Sequence, residues 1–95
     1  MEEIKIKIDG TERTIKMEEP TFGQQNEMLR KVFVDGKMKD EILGNELLLL
    51  ACIKEAPFDL TLEGIRALPS KIGNKLLNKA RELVTYDEDL KKNLE

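Results

Sequence analysis

Seven apolar residues in a row, Leu47-Leu48-Leu49-Leu50-Ala51-Cys52-Ile53, stand between Glu46 and Lys54 and limit what this chain can fold into. The four leucines and the alanine favour a helix over a buried strand. At about 100° per residue, four consecutive leucines point to every side of that helix. A helix that is apolar all round is wrapped by other elements or rests on something outside the chain. With 95 residues, complete wrapping is demanding. The length suits one domain with a single modest core.

On a helical wheel Ile42, Leu43, Leu47, Leu49, Leu50, Ala51 and Ile53 fill an arc of roughly 200°. Leu48 and Cys52 fall outside it, on the side shared with Glu41, Asn45 and Glu55. Two readings follow. Either a neighbouring segment around Phe58 covers the pair, or Leu48 and Cys52, with Leu49 beside them, form an apolar patch that awaits a partner.

Chemistry is limited by what is missing. The chain has no histidine and one cysteine, so a zinc cluster, a cysteine–histidine pair and a histidine-based triad are all excluded. Cys52 lies inside the leucine run and reads as a small hydrophobe. The 19 acidic residues are spread along polar faces beside lysines, and no glycine-rich phosphate loop is present. We therefore expect no catalytic residues, no metal site and no cofactor. A net charge of −3 argues against general nucleic-acid binding. No stretch reaches the ~18–20 apolar residues of a membrane span, and Met1-Glu2-Glu3 lacks the order of a signal peptide, so a cytoplasmic location is expected.

The chain begins with alternation. Ile4, Ile6 and Ile8 share one face and Lys5 and Lys7 the other, before the tight-turn dipeptide Asp9-Gly10. A hairpin over residues 3–17 follows. A two-residue loop pairs Ile4 with Ile15, and a four-residue loop pairs Ile4 with Met17; both keep the isoleucines on the apolar face. Two strands alone are marginal in water, so the hairpin must lie on a helix or gain strands, and its open edges are a second contact surface.

Thr21 and Gln24 form a capping-box signal for a helix over about 22–33, with Met28, Leu29, Val32 and Phe33 as its stripe and Asp35-Gly36 as its stop. The leucine helix is expected over about 40–55, ended by Pro57. Thr61 caps a short helix over about 62–67, which Gly64 weakens, and Ser70 caps a last helix over about 70–84. In that last helix Ile72, Leu76, Leu77, Ala80, Leu83 and Val84 recur at helical steps and point inward. Its outer face carries Lys71, Lys75 and Lys79 at i,i+4 spacing. The row reads as a solvated face, as a site for an acidic partner that relieves the mutual repulsion, or as a nucleic-acid contact. Residues 85–95 read as a charged tail with Tyr86, Leu90 and Leu94 as its apolar positions. The expected fold class is α+β: an N-terminal hairpin on three main helices and one short helix, forming one domain over residues 1–84.

The order of parts resembles a known family. An isoleucine-rich strand, Asp9-Gly10 and a second strand precede Glu19-Pro20-Thr21-Phe22-Gly23. A leucine-rich helix then ends in Cys52-Ile53-Lys54-Glu55-Ala56-Pro57, followed by Leu60-Thr61-Leu62-Glu63-Gly64-Ile65, Leu68-Pro69 and a closing amphipathic helix. This is similar to the small tail assembly chaperones of long-tailed phages and prophages. The resemblance implies a non-enzymatic helper that binds the tape measure protein, shields its apolar helices and aids recruitment of tail tube protein. It also implies a protein of the host cytoplasm that is absent from the mature virion, and in many members a longer frameshifted product. The family offers no catalytic motif to transfer, so the candidate partner-binding residues are those of the physical reading: Leu48, Leu49, Cys52, Lys71, Lys75 and Lys79. A self-associating structural subunit, built through the hairpin edges and the leucine helix, is the alternative.

Overall fold

Alternating isoleucines and lysines produce strand β1 (Glu2–Ile8), which pairs antiparallel with β2 (Thr11–Met17). The computed structural model describes residues 1–84; the apolar positions expected at Tyr86, Leu90 and Leu94 lie outside the described residues. Of the two registers open to the hairpin, the two-residue loop is adopted, with Ile8 opposite Thr11 and Ile4 opposite Ile15. Asp9 (φ 52°) and Gly10 (φ 77°) both lie in the left-handed region. That is the type I′ geometry whose twist matches the flanking strands.

Helix α1 (Phe22–Val32) opens with the expected capping box. The Gln24 amide donates to Thr21 Oγ1 (3.1 Å), and the Thr21 amide donates to Gln24 Oε1 (2.9 Å). The helix stops one residue short of Phe33. Phe33–Val34 (β3) instead pairs with Lys37–Met38 (β4) across Asp35 (φ 53°) and Gly36 (φ 77°). This second Asp-Gly therefore forms a hairpin of its own rather than a helix stop. The same backbone demand, positive φ at two successive residues, explains both turns.

Helix α2 (Glu41–Cys52) is capped by Asp40, whose Oδ1 accepts from the Leu43 amide at 2.9 Å. It does not reach Glu55. Ile53–Glu55 become β5, which pairs antiparallel with β2, placing Lys16 opposite Glu55 and Met17 opposite Ile53. The sheet order is β1-β2-β5. A two-stranded ribbon lacks stability alone, and this third strand supplies what it needs.

Helix α3 (Leu62–Arg66) starts at Thr61, whose Oγ1 accepts from the Gly64 amide at 3.0 Å. Gly64 has a positive reason to be glycine, because a methyl group there would overlap the Asp59 carbonyl. The last helix, α4 (Ser70–Val84), bonds its first turn to the Pro69 carbonyl, which accepts from Gly73 at 3.0 Å. Ser70 is thus already helical and does not act as the cap expected of it. The fold is α+β. Ile6, Ile15 and Met17 of the sheet, Ile65 of α3, and Leu76 and Ala80 of α4 enclose the inner side of α2.

Candidate partner-binding surface

Helix α2 faces the core with Leu48 and Cys52, which lie outside the wheel's apolar arc, and with Leu49 from within it. Leu48 is 9% exposed, Leu49 4% and Cys52 0%. Of the two readings, the covered pair holds, and the expectation that Leu48, Leu49 and Cys52 form a partner-binding patch is corrected. The wheel ranks the sides of a helix by apolar count, but the packing partner decides which side is buried. Here α4 lies against α2, and its buried Leu76 and Ala80 join the same cluster as Leu48 and Cys52. Phe58, the cover suggested by the sequence, packs on that cluster as a half-buried neighbour. Asn45, a polar residue on this side, accepts from Arg81 Nη2 of α4 at 3.4 Å.

The apolar surplus reappears on the opposite side of α2. Leu43, Leu47 and Leu50 lie within about 60° of one another, centred roughly 180° from the buried group. All three are half-buried, and Ile42 at the start of the helix is 74% exposed. Between this side and α1 runs an open groove of about 640 Å³. Leu47, Leu50 and Ala51 line it from α2 and Met28 from α1, while Gln24, Glu27 and Lys31 edge the α1 bank. Met28 and Leu50 pack against the core behind, so the groove has a firm base. Met28 and Ala51 also line a separate, smaller cleft of about 230 Å³ together with Pro20 and Val84. A methionine lining both adapts readily to differently shaped apolar side chains.

The banks carry mixed charge. Glu27 pairs with Arg30 at 2.8 Å, one turn along the exposed side of α1. Such exposed pairs contribute little to stability. On the other flank of α2, the Arg66 guanidinium grips Glu46 through two contacts, one of them Nη2 to Oε1 at 3.0 Å. That fork ties α3 to α2, and the carboxylate beside it holds the Arg66 pKa above its usual value.

The lysine row on α4 does not join this groove. Lys71 is exposed. Lys75 Nζ donates to the Lys5 carbonyl at 3.1 Å. Lys79 Nζ meets the carboxylates of Glu2 (2.9 Å) and Glu82 (3.3 Å), which raise its pKa. Two of the three lysines thus bind β1 within the same chain. The repulsion read from their spacing is relieved from inside the domain. Nor are the hairpin edges both open, since β5 covers the outer side of β2 and Lys75 reaches across to β1.

Cys52 is inert by placement. Burial, against the smaller opposing influence of Lys54, pushes its thiol up to about 11, with Glu19 adding to the rise. A neutral buried thiol is a poor nucleophile. Among the described residues no group of three or more histidine, cysteine, aspartate or glutamate side chains could hold a metal ion. No helix among them is long and apolar enough to cross a membrane. The groove residues Met28, Leu47 and Leu50 were visible in the sequence as apolar positions. Nothing there said that α4 would claim the other side of α2 and leave these only half-covered. No family model, curated protein or solved structure matches the chain.

Proposed function

We propose that this chain is a non-enzymatic tail assembly chaperone, which receives an apolar face of a tape measure protein helix in the groove between α1 and α2. The single observation that carries the reading is the groove itself: Met28, Leu47, Leu50 and Ala51 line an open, shallow concavity between two helices. Helix-in-groove recognition uses such a floor, into which a partner inserts side chains at i, i+3 or i+4 and i+7. Leucines three residues apart on α2 are spaced to meet that repeat. The tape measure protein is taken as the partner on the resemblance in motif order alone, and tail tube protein as a second partner on the same grounds.

Coexpression tests the proposal. The chain should keep helical segments of the tape measure protein from the same genome in the soluble fraction. A Leu47→Asp/Leu50→Asp variant with an unchanged circular dichroism spectrum should lose that effect. The proposal is refuted if partner solubility is the same with and without the chain, or if the folded groove variant protects as well as the native sequence.

A further inference from the structure

Strand β1 presents an outer edge, and its composition matches a second copy of itself. The closing pair of the hairpin, Ile8 opposite Thr11, is hydrogen-bonded in a two-residue type I′ loop, and such pairs alternate along an antiparallel ladder. Residues 4, 6 and 8 therefore bond inward to β2, while Glu3, Lys5 and Lys7 direct their N–H and C=O groups outward. The contact from Lys75 to the Lys5 carbonyl agrees with that parity. Suppose two β1 strands meet antiparallel about a two-fold axis at Lys5. Glu3 then lies opposite Lys7 of the second copy, twice over, and Lys5 opposite its own equivalent. Two complementary cross-strand pairs outweigh one like-charged pair. On the other face Ile4 meets Ile6 of the second copy, so the apolar surface is continuous across the join.

We infer that β1 is a self-complementary dimerisation edge, held closed by Lys75 and Lys79 of α4. Lys75 occupies the Lys5 carbonyl, the acceptor at the centre of the prospective ladder. Lys79 anchors α4 to the start of the same strand through Glu2 at 2.9 Å. Lysines placed on a strand edge commonly prevent edge-to-edge association. Here the guard comes from a helix and stands over the one register whose charges fit. The other edge, β5, has only three residues and an irregular register with β2, which makes it a poor template. This inference is independent of the groove, which lies on α1 and α2.

Sedimentation of the full chain at high micromolar concentration tests it. The native sequence should sediment as a monomer of 10.9 kDa. Lys75→Ala/Lys79→Ala should double that mass without loss of circular dichroism signal. Adding Lys5→Pro removes an outward N–H while sparing the bonds to β2, as an edge strand tolerates, and should restore the monomer. Glu3→Lys in the double variant should also restore it, and Glu3→Lys with Lys7→Glu should bring the dimer back. The inference is overturned if the double variant stays monomeric. It is equally overturned if its dimer survives Lys5→Pro, or if the native chain dimerises as readily as the variant.

Discussion

Raising the pH through 9 to 11 should destabilise this protein by way of one atom, the sulfur of Cys52. The thiol is fully buried, and its pKa rises from the ordinary 9.0 to about 11. Below pH 9 both folded and unfolded chains keep the thiol proton, so this group gives no pH dependence. Between 9 and 11 the unfolded chain releases it and the folded chain holds it, so stability falls as pH rises. Above 11 both states are ionised and the effect levels off. Each pH unit is worth about 1.4 kcal/mol, so the full loss approaches about 2.7 kcal/mol, with roughly half already present at pH 10. Subtracting a Cys52→Ala variant isolates the thiol, because every other group is common to both proteins. The variant should be less stable than the native chain at pH 7 by about 1 kcal/mol, through lost burial and a small cavity. The two urea-unfolding stabilities should then converge near pH 10 and cross above it. Stability curves that run parallel from pH 8 to 10.5 would show that the thiol ionises as easily inside the fold as outside, and the reasoning from burial would be wrong.

Two further substitutions probe the packing. Leu48→Ala should cost about 2–4 kcal/mol and Leu47→Ala under about 1.5, because only the first opens a cavity in the core; equal losses in urea unfolding would contradict the assignment of the inner and outer sides of α2. Gly64→Ala should destabilise by more than about 1 kcal/mol although alanine is the better helix former, since the added methyl meets the Asp59 carbonyl. A raised thermal midpoint would show that the turn before α3 yields without cost.

The hairpin, the capping box at Thr21 and the inward stripe of α4 were legible because each rests on a local rule. Alternation, a side-chain acceptor three residues from an amide, and helical spacing need no knowledge of the rest of the chain. Elements that depend on distant partners were not legible. Ile53, Lys54 and Glu55 follow a leucine helix without a breaker, and only the free side of β2 draws them into a strand. The orientation of α2 failed for the same reason. Its apolar residues surround the axis, so the wheel chose the broader arc on a narrow margin, and the decision fell to α4 packing over Leu48 and Cys52. The groove is the complement of that decision and shared its invisibility. At Asp35-Gly36 the signal was present but carried two meanings, helix stop and hairpin turn. The short extended pair Phe33–Val34, with Lys37–Met38 returning beside it, settled which applied.

The splice of β5 onto β2 reaches from just beyond the leucine helix back to the first hairpin. It binds the two ends of the chain's first half into a single knot of dependence: the opening ribbon has no lasting life until the segment after α2 has been made and brought home. The ribbon and the segment that closes it should therefore gain and lose their order together.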